Sequence, residues 1–226
     1  HEILRTSFHF LDGEYVQKIH ESVEGSINLM SGRNLQEIVS EFVQIFDLGK
    51  APLIRAAYAE TEDGNYYLIF DMHHIISDGQ SVNNMLMELS KLYRQESVPE
   101  VRFQYRDYSE WTNKRDITKQ KEYWLKEFQG EIPVLDMPID GKRTGRQSYI
   151  GKTVKAKFDS SVRQAVKKIA MSNGATDYMV LMAALMITLN KYSGQETLIV
   201  GSPVSGRIQK ETEDMLGVFV NTLAIK

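Results

Sequence analysis

Two adjacent histidines, His73 and His74, precede an aspartate–glycine pair, Asp78-Gly79, within the stretch Met72-His73-His74-Ile75-Ile76-Ser77-Asp78-Gly79-Gln80-Ser81. Imidazole is the side chain that most readily gives or takes a proton near neutral pH. Four readings compete for such a pair. The first is a hydrogen-bonded pair of core histidines with no chemistry. The second is a metal site built on His-His-x-x-x-Asp. Neighbouring strand side chains diverge, however, and no cysteine or further downstream histidine completes a ligand shell. The third is a Ser/His/Asp hydrolase, which needs a Gly-x-Ser-x-Gly elbow. Gly201-Ser202-Pro203-Val204-Ser205-Gly206 has the wrong spacing for it. The fourth is a histidine that acts as base or hydrogen-bond partner without a protein nucleophile, both reactants being brought in as substrates.

The elements that must position these residues are a strand before them and a helix after them. Residues 65–72, rich in aromatic and β-branched side chains, follow the turn-prone Glu62-Asp63-Gly64-Asn65. Val82, Met85, Leu86, Leu89, Leu92 and Tyr93 repeat at the spacing of one apolar helix face. If the strand runs through both histidines, their side chains point to opposite faces. One then faces a cavity and the other faces packing. Asp78, before a glycine at a helix start, reads equally well as a cap. Gly79 is suited to close approach of backbone and substrate.

Elsewhere the chain alternates hairpins with helix–strand units, which makes the class α/β with a mixed sheet. Leu11-Asp12-Gly13-Glu14 signals a hairpin. Residues 34–46 carry a helical apolar face capped by Ser31 or Asn34. A strand over 54–59 turns through Asp63-Gly64 into the strand before the histidines. Residues 118–128 read as a helix, and 132–145, with Pro133, Pro138, Gly141 and Gly145, as a junction between lobes. Residues 145–153 nearly imitate a phosphate-binding loop. The spacing is one residue too long, and a strand over 153–158 follows where a helix is needed. Residues 160–173 form an amphipathic helix closed by Asn173-Gly174. The strongly apolar run 176–192 reads as a buried helix, too short to span a bilayer. A short buried strand follows over 197–201, then a charged loop to Asp214 and a last apolar stretch over 216–225.

Composition fits a soluble globular protein: 226 residues, 42% hydrophobic, 25% charged, net charge −3. That balance gives no electrostatic footprint for nucleic acid, and no apolar run reaches membrane-spanning length. The absence of cysteine excludes a disulfide framework and fits a reducing, cytoplasmic setting.

The histidine stretch resembles the His-His-x-x-x-Asp-Gly signature of the condensation domains of nonribosomal peptide synthetases, members of the chloramphenicol acetyltransferase-like superfamily. Four companions stand in the family's order. They are His1-Glu2-Ile3-Leu4-Arg5-Thr6-Ser7-Phe8, Tyr105-Arg106-Asp107-Tyr108-Ser109-Glu110-Trp111, Gly201-Ser202-Pro203-Val204-Ser205-Gly206-Arg207 and Leu216-Gly217-Val218-Phe219-Val220-Asn221-Thr222-Leu223. The resemblance implies a two-lobed α/β fold with mixed sheets flanked by helices. Residues 1–138 would form an incomplete N-terminal lobe and 139–226 the first part of the C-terminal lobe, the segment being truncated at both ends. It implies amide-bond formation between two thioesters held on carrier domains, beside an adenylation domain. No cofactor or metal is bound by the domain itself, and substrates arrive on phosphopantetheine arms. The family pattern puts His74 in the cavity, as base or as the group that positions the amine. His73, Asp78 and Gly79 support the motif. It pairs Asp78 with an arginine, Arg207 first and Arg5 second. Asn221 and Trp111 belong to the substrate channel, Trp111 by packing more than by contact. Epimerisation domains share the histidine motif, but the block 217–222 resembles the condensation version. A non-catalytic docking domain is the binding-module alternative, and the intact motif argues against it. Heterocyclisation domains replace the two histidines with aspartates, which this chain does not.

Overall fold

The computed structural model describes residues 1–141, 145 and 151–226. It contains seven strands and six α-helices among these residues: β1 (Thr6–Leu11), β2 (Glu14–Ile19), β3 (Ile27–Gly32), α1 (Leu35–Phe42), β4 (Ile54–Thr61), β5 (Tyr66–Met72), α2 (Gly79–Tyr93), α3 (Tyr105–Lys114), α4 (Thr118–Glu127), α5 (Ser160–Ser172), α6 (Asp177–Ser193), β6 (Val200–Ser205) and β7 (Val220–Ile225). Short 3-10 turns cover Glu2–Arg5, His74–Ile76 and Lys210–Thr212.

Local sequence explains most of the joints. Asp12 and Gly13 both take positive φ, 51° and 86°, which is the two-residue turn that matches strand twist in a hairpin. β1 and β2 then pair antiparallel from Leu11↔Glu14 to Thr6↔Ile19. β4 lies at the centre of a mixed sheet, parallel to β3 and antiparallel to β5, with Arg55 opposite Asp71 and Ile54 opposite Met72. β6 and β7 pair with each other. Asn34 caps α1 by accepting from the Glu37 N–H at 3.0 Å. α1 ends at Phe42, short of the apolar pattern that runs to Phe46, because Val43 turns extended (ψ 116°). Phe46 therefore leaves the helix and packs beside a buried cluster of Ile3, Leu53, Ile76 and Leu216.

Two compact units account for the described residues. One comprises His1–Asp116 and Val204–Asn221, the other Ile117–Pro203 and Thr222–Lys226. These units are drawn differently from 1–138 and 139–226: the first break falls at Asp116, and 204–221 return to the first unit. The return has a physical cause, since Leu216 completes the cluster of Ile3, Leu53 and Ile76. In the second unit α5 packs on α6, Gln195 bridges the Val134 carbonyl (3.0 Å) and the Asp136 N–H (2.8 Å), and the Tyr178 and Ser202 hydroxyls lie 2.5 Å apart.

Three expectations change. Helix α6 is not a buried helix: none of its residues is buried, and Met179, Leu181 and Ile187 are all more than half exposed. Its apolar residues are spread round the helix, and α5 covers one side only. Residues 153–158 form no strand, and Val154 and Phe158 are exposed. The strand expected over 197–201 begins only at Val200; Leu198, before it, is buried, and within β6 only Ser202 is. Residues 146–150 lie outside the described residues, so the near-match to a phosphate-binding loop over 145–153 is left as a sequence observation.

Candidate active site

Strand β5 ends at Met72, so the two histidines do not sit on alternate strand positions. His73 is instead the cap of the 3-10 turn His74–Ile76, its Nδ1 accepting the Ile75 N–H at 3.0 Å. A ring nitrogen that accepts carries no proton, so the His73 proton lies on Nε2. The ring meets Phe46 edge-on, centroids 6.1 Å apart and planes at 89°. His73 and His74 thus face different surroundings, as expected, but the separation comes from a cap and not from strand alternation. His74 is exposed and borders an open cavity of about 600 Å³. Leu68, Phe70, Val82, Met85 and Leu86 give it apolar walls, and Ser77, Asp78 and Gly79 line it near the turn.

Asp78 turns away from water. It caps α2, and its Oδ1 accepts from the Ser81 N–H (2.8 Å), the Ser81 hydroxyl (2.8 Å) and Arg207 Nη2 (2.9 Å). Its Oδ2 accepts from the Phe219 N–H at 3.1 Å. Cap and ion pair, alternatives at the level of sequence, are both present. The Asp78 and Arg207 side chains are only 4% and 6% exposed. Burial pushes the Asp78 carboxyl upward, but the hydrogen bonds from Ser81, Arg207 and Phe219 outweigh it and hold the group below its ordinary value. A carboxylate so buried and held braces the turn behind His74.

Arg207, not Arg5, is the partner. Its Nη1 donates to the carbonyls of Thr212 and Met215 (the latter at 2.9 Å), and its guanidinium carbon lies 3.9 Å from the Phe219 ring centre. One side chain thereby ties the returning segment to the start of α2. Arg5 instead pairs with Glu2 (3.2 Å) and donates to the His20 carbonyl, closing the base of the first hairpin.

Sequence reasoning missed Ser81, which is 1% exposed and is the hub of this joint. Its hydroxyl accepts from Gly217 N–H (3.0 Å) and Arg207 Nη2 (2.7 Å). Its single proton goes to Asp78 Oδ1 or the Gly217 carbonyl, each at 2.8 Å. The available signal was Asp78-x-x-Ser81, a polar pair spaced as a helix cap before an apolar run. Tyr105 and Tyr108 of α3 pack on Phe219, at 5.3 and 4.6 Å between ring centres, and the Tyr105 hydroxyl donates to the Val218 carbonyl at 2.8 Å. Four of the five sequence blocks therefore meet around Phe219, Ser81 and Asp78. The first block joins through Ile3 in the cluster and the Glu2 N–H, which donates to Gln104 at 2.9 Å.

Trp111 and Asn221 are not brought to the His74 cavity. Trp111 lies beside Tyr108 with Arg115 5.4 Å from its ring centre, and Asn221 is an exposed residue of β7. A Cβ built on Gly79 meets nothing within 4 Å, so no protein neighbour demands a glycine there. Among the described residues no three His, Cys, Asp or Glu side chains are grouped to hold a metal ion. No helix among them is long and apolar enough to cross a membrane.

A strand–turn–helix thus presents one solvent-facing histidine, locked from behind by an arginine on a distant segment, and the fold is chloramphenicol acetyltransferase-like. Comparison with known proteins agrees: the condensation-domain model matches residues 1–226, and the chain belongs to that family. The chain is 45% identical over its whole length to bacitracin synthase 3 of Bacillus licheniformis, of which it covers 4%. It is 43% identical to gramicidin S synthase 2 of Aneurinibacillus migulanus, of which it covers 5%. Among solved structures, a holo four-domain nonribosomal peptide synthetase bound to AMP and glycine superimposes on 99% of the chain with a TM-score of 0.86 at 25% identity; the chain spans 18% of it. The epimerization domain of tyrocidine synthetase B superimposes with a TM-score of 0.80 at 19% identity, a likeness of fold alone, and the chain spans 56% of it.

Proposed function

We propose that this chain carries the catalytic centre of a condensation domain that forms an amide bond between two carrier-bound thioesters. The carrying observation is the division of labour around the turn. Of the motif's ionisable groups at the cavity, His74 is exposed, while Asp78 is buried and held by Arg207, Ser81 and the Phe219 N–H. The acceptor's neutral amine attacks the donor thioester carbonyl, the tetrahedral intermediate collapses, the C–S bond breaks, and the donor arm leaves as thiolate. His74 takes the proton that nitrogen loses, or holds the amine in line, and the departing thiolate is reprotonated. A thioester is already activated, so positioning supplies much of the rate, on the order of 7–11 kcal/mol in well-aligned cases. A placed base adds about 10²–10⁴-fold.

The partners under this reading are upstream and downstream peptidyl carrier domains and an adjacent adenylation domain. The phosphopantetheine arms belong to the carriers, and the domain needs no cofactor of its own. The epimerisation alternative would use the same histidine at an α-carbon. The block Gly217-Val218-Phe219-Val220-Asn221-Thr222 favours condensation. The deciding experiment incubates the complete domain with donor-loaded and acceptor-loaded carriers. Amide product supports the proposal; an inverted α-carbon without amide, or no turnover, overturns it.

A further inference from the structure

We propose that Phe46, clamped by Arg55, is a positioning residue for the histidine turn, holding the His73 ring in the orientation and tautomer that cap it. The functional half of this proposal rests on the reading of His74 given above. Three links carry it. First, His73 Nδ1 accepts the Ile75 N–H at 3.0 Å, which requires the Nε2–H tautomer. The opposite tautomer would set two donors against each other and release the turn on which His74 is the first residue. Second, nothing in that hydrogen bond fixes the far side of the ring, and the edge-on contact with Phe46 does, at 6.1 Å and 89°. Third, Phe46 is itself held. The Arg55 guanidinium carbon lies 3.8 Å from its ring centre. Arg55 Nε stands 3.1 Å from Asp71 Oδ2, its cross-strand partner, and Nη2 donates to the Gln44 carbonyl at 2.7 Å.

Those contacts fix the plane of the guanidinium, and a flat delocalised cation can lie on an aromatic ring as an ammonium cannot. The charged groups on this side are Arg55 and Asp71, which form an ion pair although Asp71 Oδ2 accepts no hydrogen bond, and it is the Phe46 ring that meets His73. The turn is thus held twice: by Asp78 and Arg207 at the start of α2, and by Phe46 and Arg55 at the end of β5.

The test uses the complete condensation domain with Phe46→Leu, Phe46→Tyr and Arg55→Lys. Imidazole ¹⁵N spectra read the tautomer of His73, and single-turnover amide formation at saturating acceptor carrier reads positioning. Phe46→Leu should move His73 away from the pure Nε2–H pattern and lower the saturated rate about tenfold to hundredfold, the size expected when a reacting group shifts by a fraction of an ångström. The acceptor KM should change by less than about twofold, because ground-state binding is not touched. Phe46→Tyr, which keeps the ring, should preserve both readouts, and Arg55→Lys should shift both in the direction of Phe46→Leu. An unchanged His73 tautomer in Phe46→Leu overturns the proposal, whatever the rate does. If Phe46→Leu does not fold, Arg55→Lys decides on the same two readouts. Should His74→Ala retain full turnover, the reading of His74 falls, and the His73 spectra still decide whether Phe46 braces the turn.

Discussion

At the scale of single residues, two neighbours of identical type do different work because one of them is a cap. His74 stands at the cavity, so His74→Ala should lower amide formation by about 10²-fold or more while the melting temperature stays put. Single-turnover assays beside thermal melts check this, and near wild-type turnover would remove both the base and the positioning role. His73→Ala removes the acceptor for the Ile75 N–H and the edge contact with Phe46, so its first effect should be on stability. Asp78 gives a second residue-scale expectation. Its carboxyl is held below the ordinary 3.8. A depressed folded value means the unfolded chain binds the extra proton first. The stabilisation is therefore complete above that ordinary value and is lost as pH falls through the folded value. Asp78→Asn should be less stable than wild type at neutral pH, by roughly 3–5 kcal/mol for an uncompensated Arg207. The gap should narrow as pH drops below 4 or so. In a double-mutant cycle, losing both Asp78 and Arg207 should cost less than the two single losses added; strict additivity would sink the pair.

At the scale of elements, the joint between α3 and the returning segment is set by two glycines. A Cβ on Gly206 would lie 2.2 Å from the Phe219 carbonyl oxygen, and one on Gly217 would lie 2.0 Å from the Tyr105 ring. The first neighbour is backbone that accepts the Gly206 N–H at 2.6 Å, and the second ring is pinned through its hydroxyl to Val218. Neither can yield cheaply, so Gly206→Ala and Gly217→Ala should each destabilise the complete domain by about 1–3 kcal/mol or more. Gly79→Ala meets nothing at the start of α2 and should leave stability unchanged or slightly raised. Denaturant melts of the three variants check the order, and a Gly79 variant as damaged as the other two would contradict it.

At the scale of the molecule, helix α6 presents apolar side chains on more sides than α5 can cover. Exposed apolar side chains of this kind bind hydrophobic probes. A chain of residues 1–226 should therefore bind a hydrophobic dye such as ANS, and Leu181→Lys with Ile187→Lys should lower the dye signal without lowering the melting temperature. Dye binding that the double variant leaves unchanged would place the exposed apolar surface elsewhere. The same helix shows where periodicity stops being informative. A run apolar on all sides says that something must cover it, and does not say that α5 is too narrow to do so.

Much of the site was legible in the chain because it is local. The Asp12-Gly13 turn, the Asn34 cap, the strand into His73 and the helix after Gly79 depend on backbone preferences and on side chains a few residues apart. The five blocks were also visible as residue types at fixed spacing, and they carried the family. What only the tertiary structure decided is the long-range pairing. Both Arg207 and Arg5 could reach a carboxylate in principle, and only the return of 204–221 to the first unit puts Arg207 against Asp78 while Glu2 and the His20 carbonyl occupy Arg5. Ser81 became the hub for the same reason. A hydroxyl's partners are set by which backbone groups are carried to it, and Gly217 arrives from 136 residues away. The end of α1 before Phe46 was likewise hidden, because the apolar period continues unbroken while the ring is drawn out of the helix to lie between Arg55 and His73.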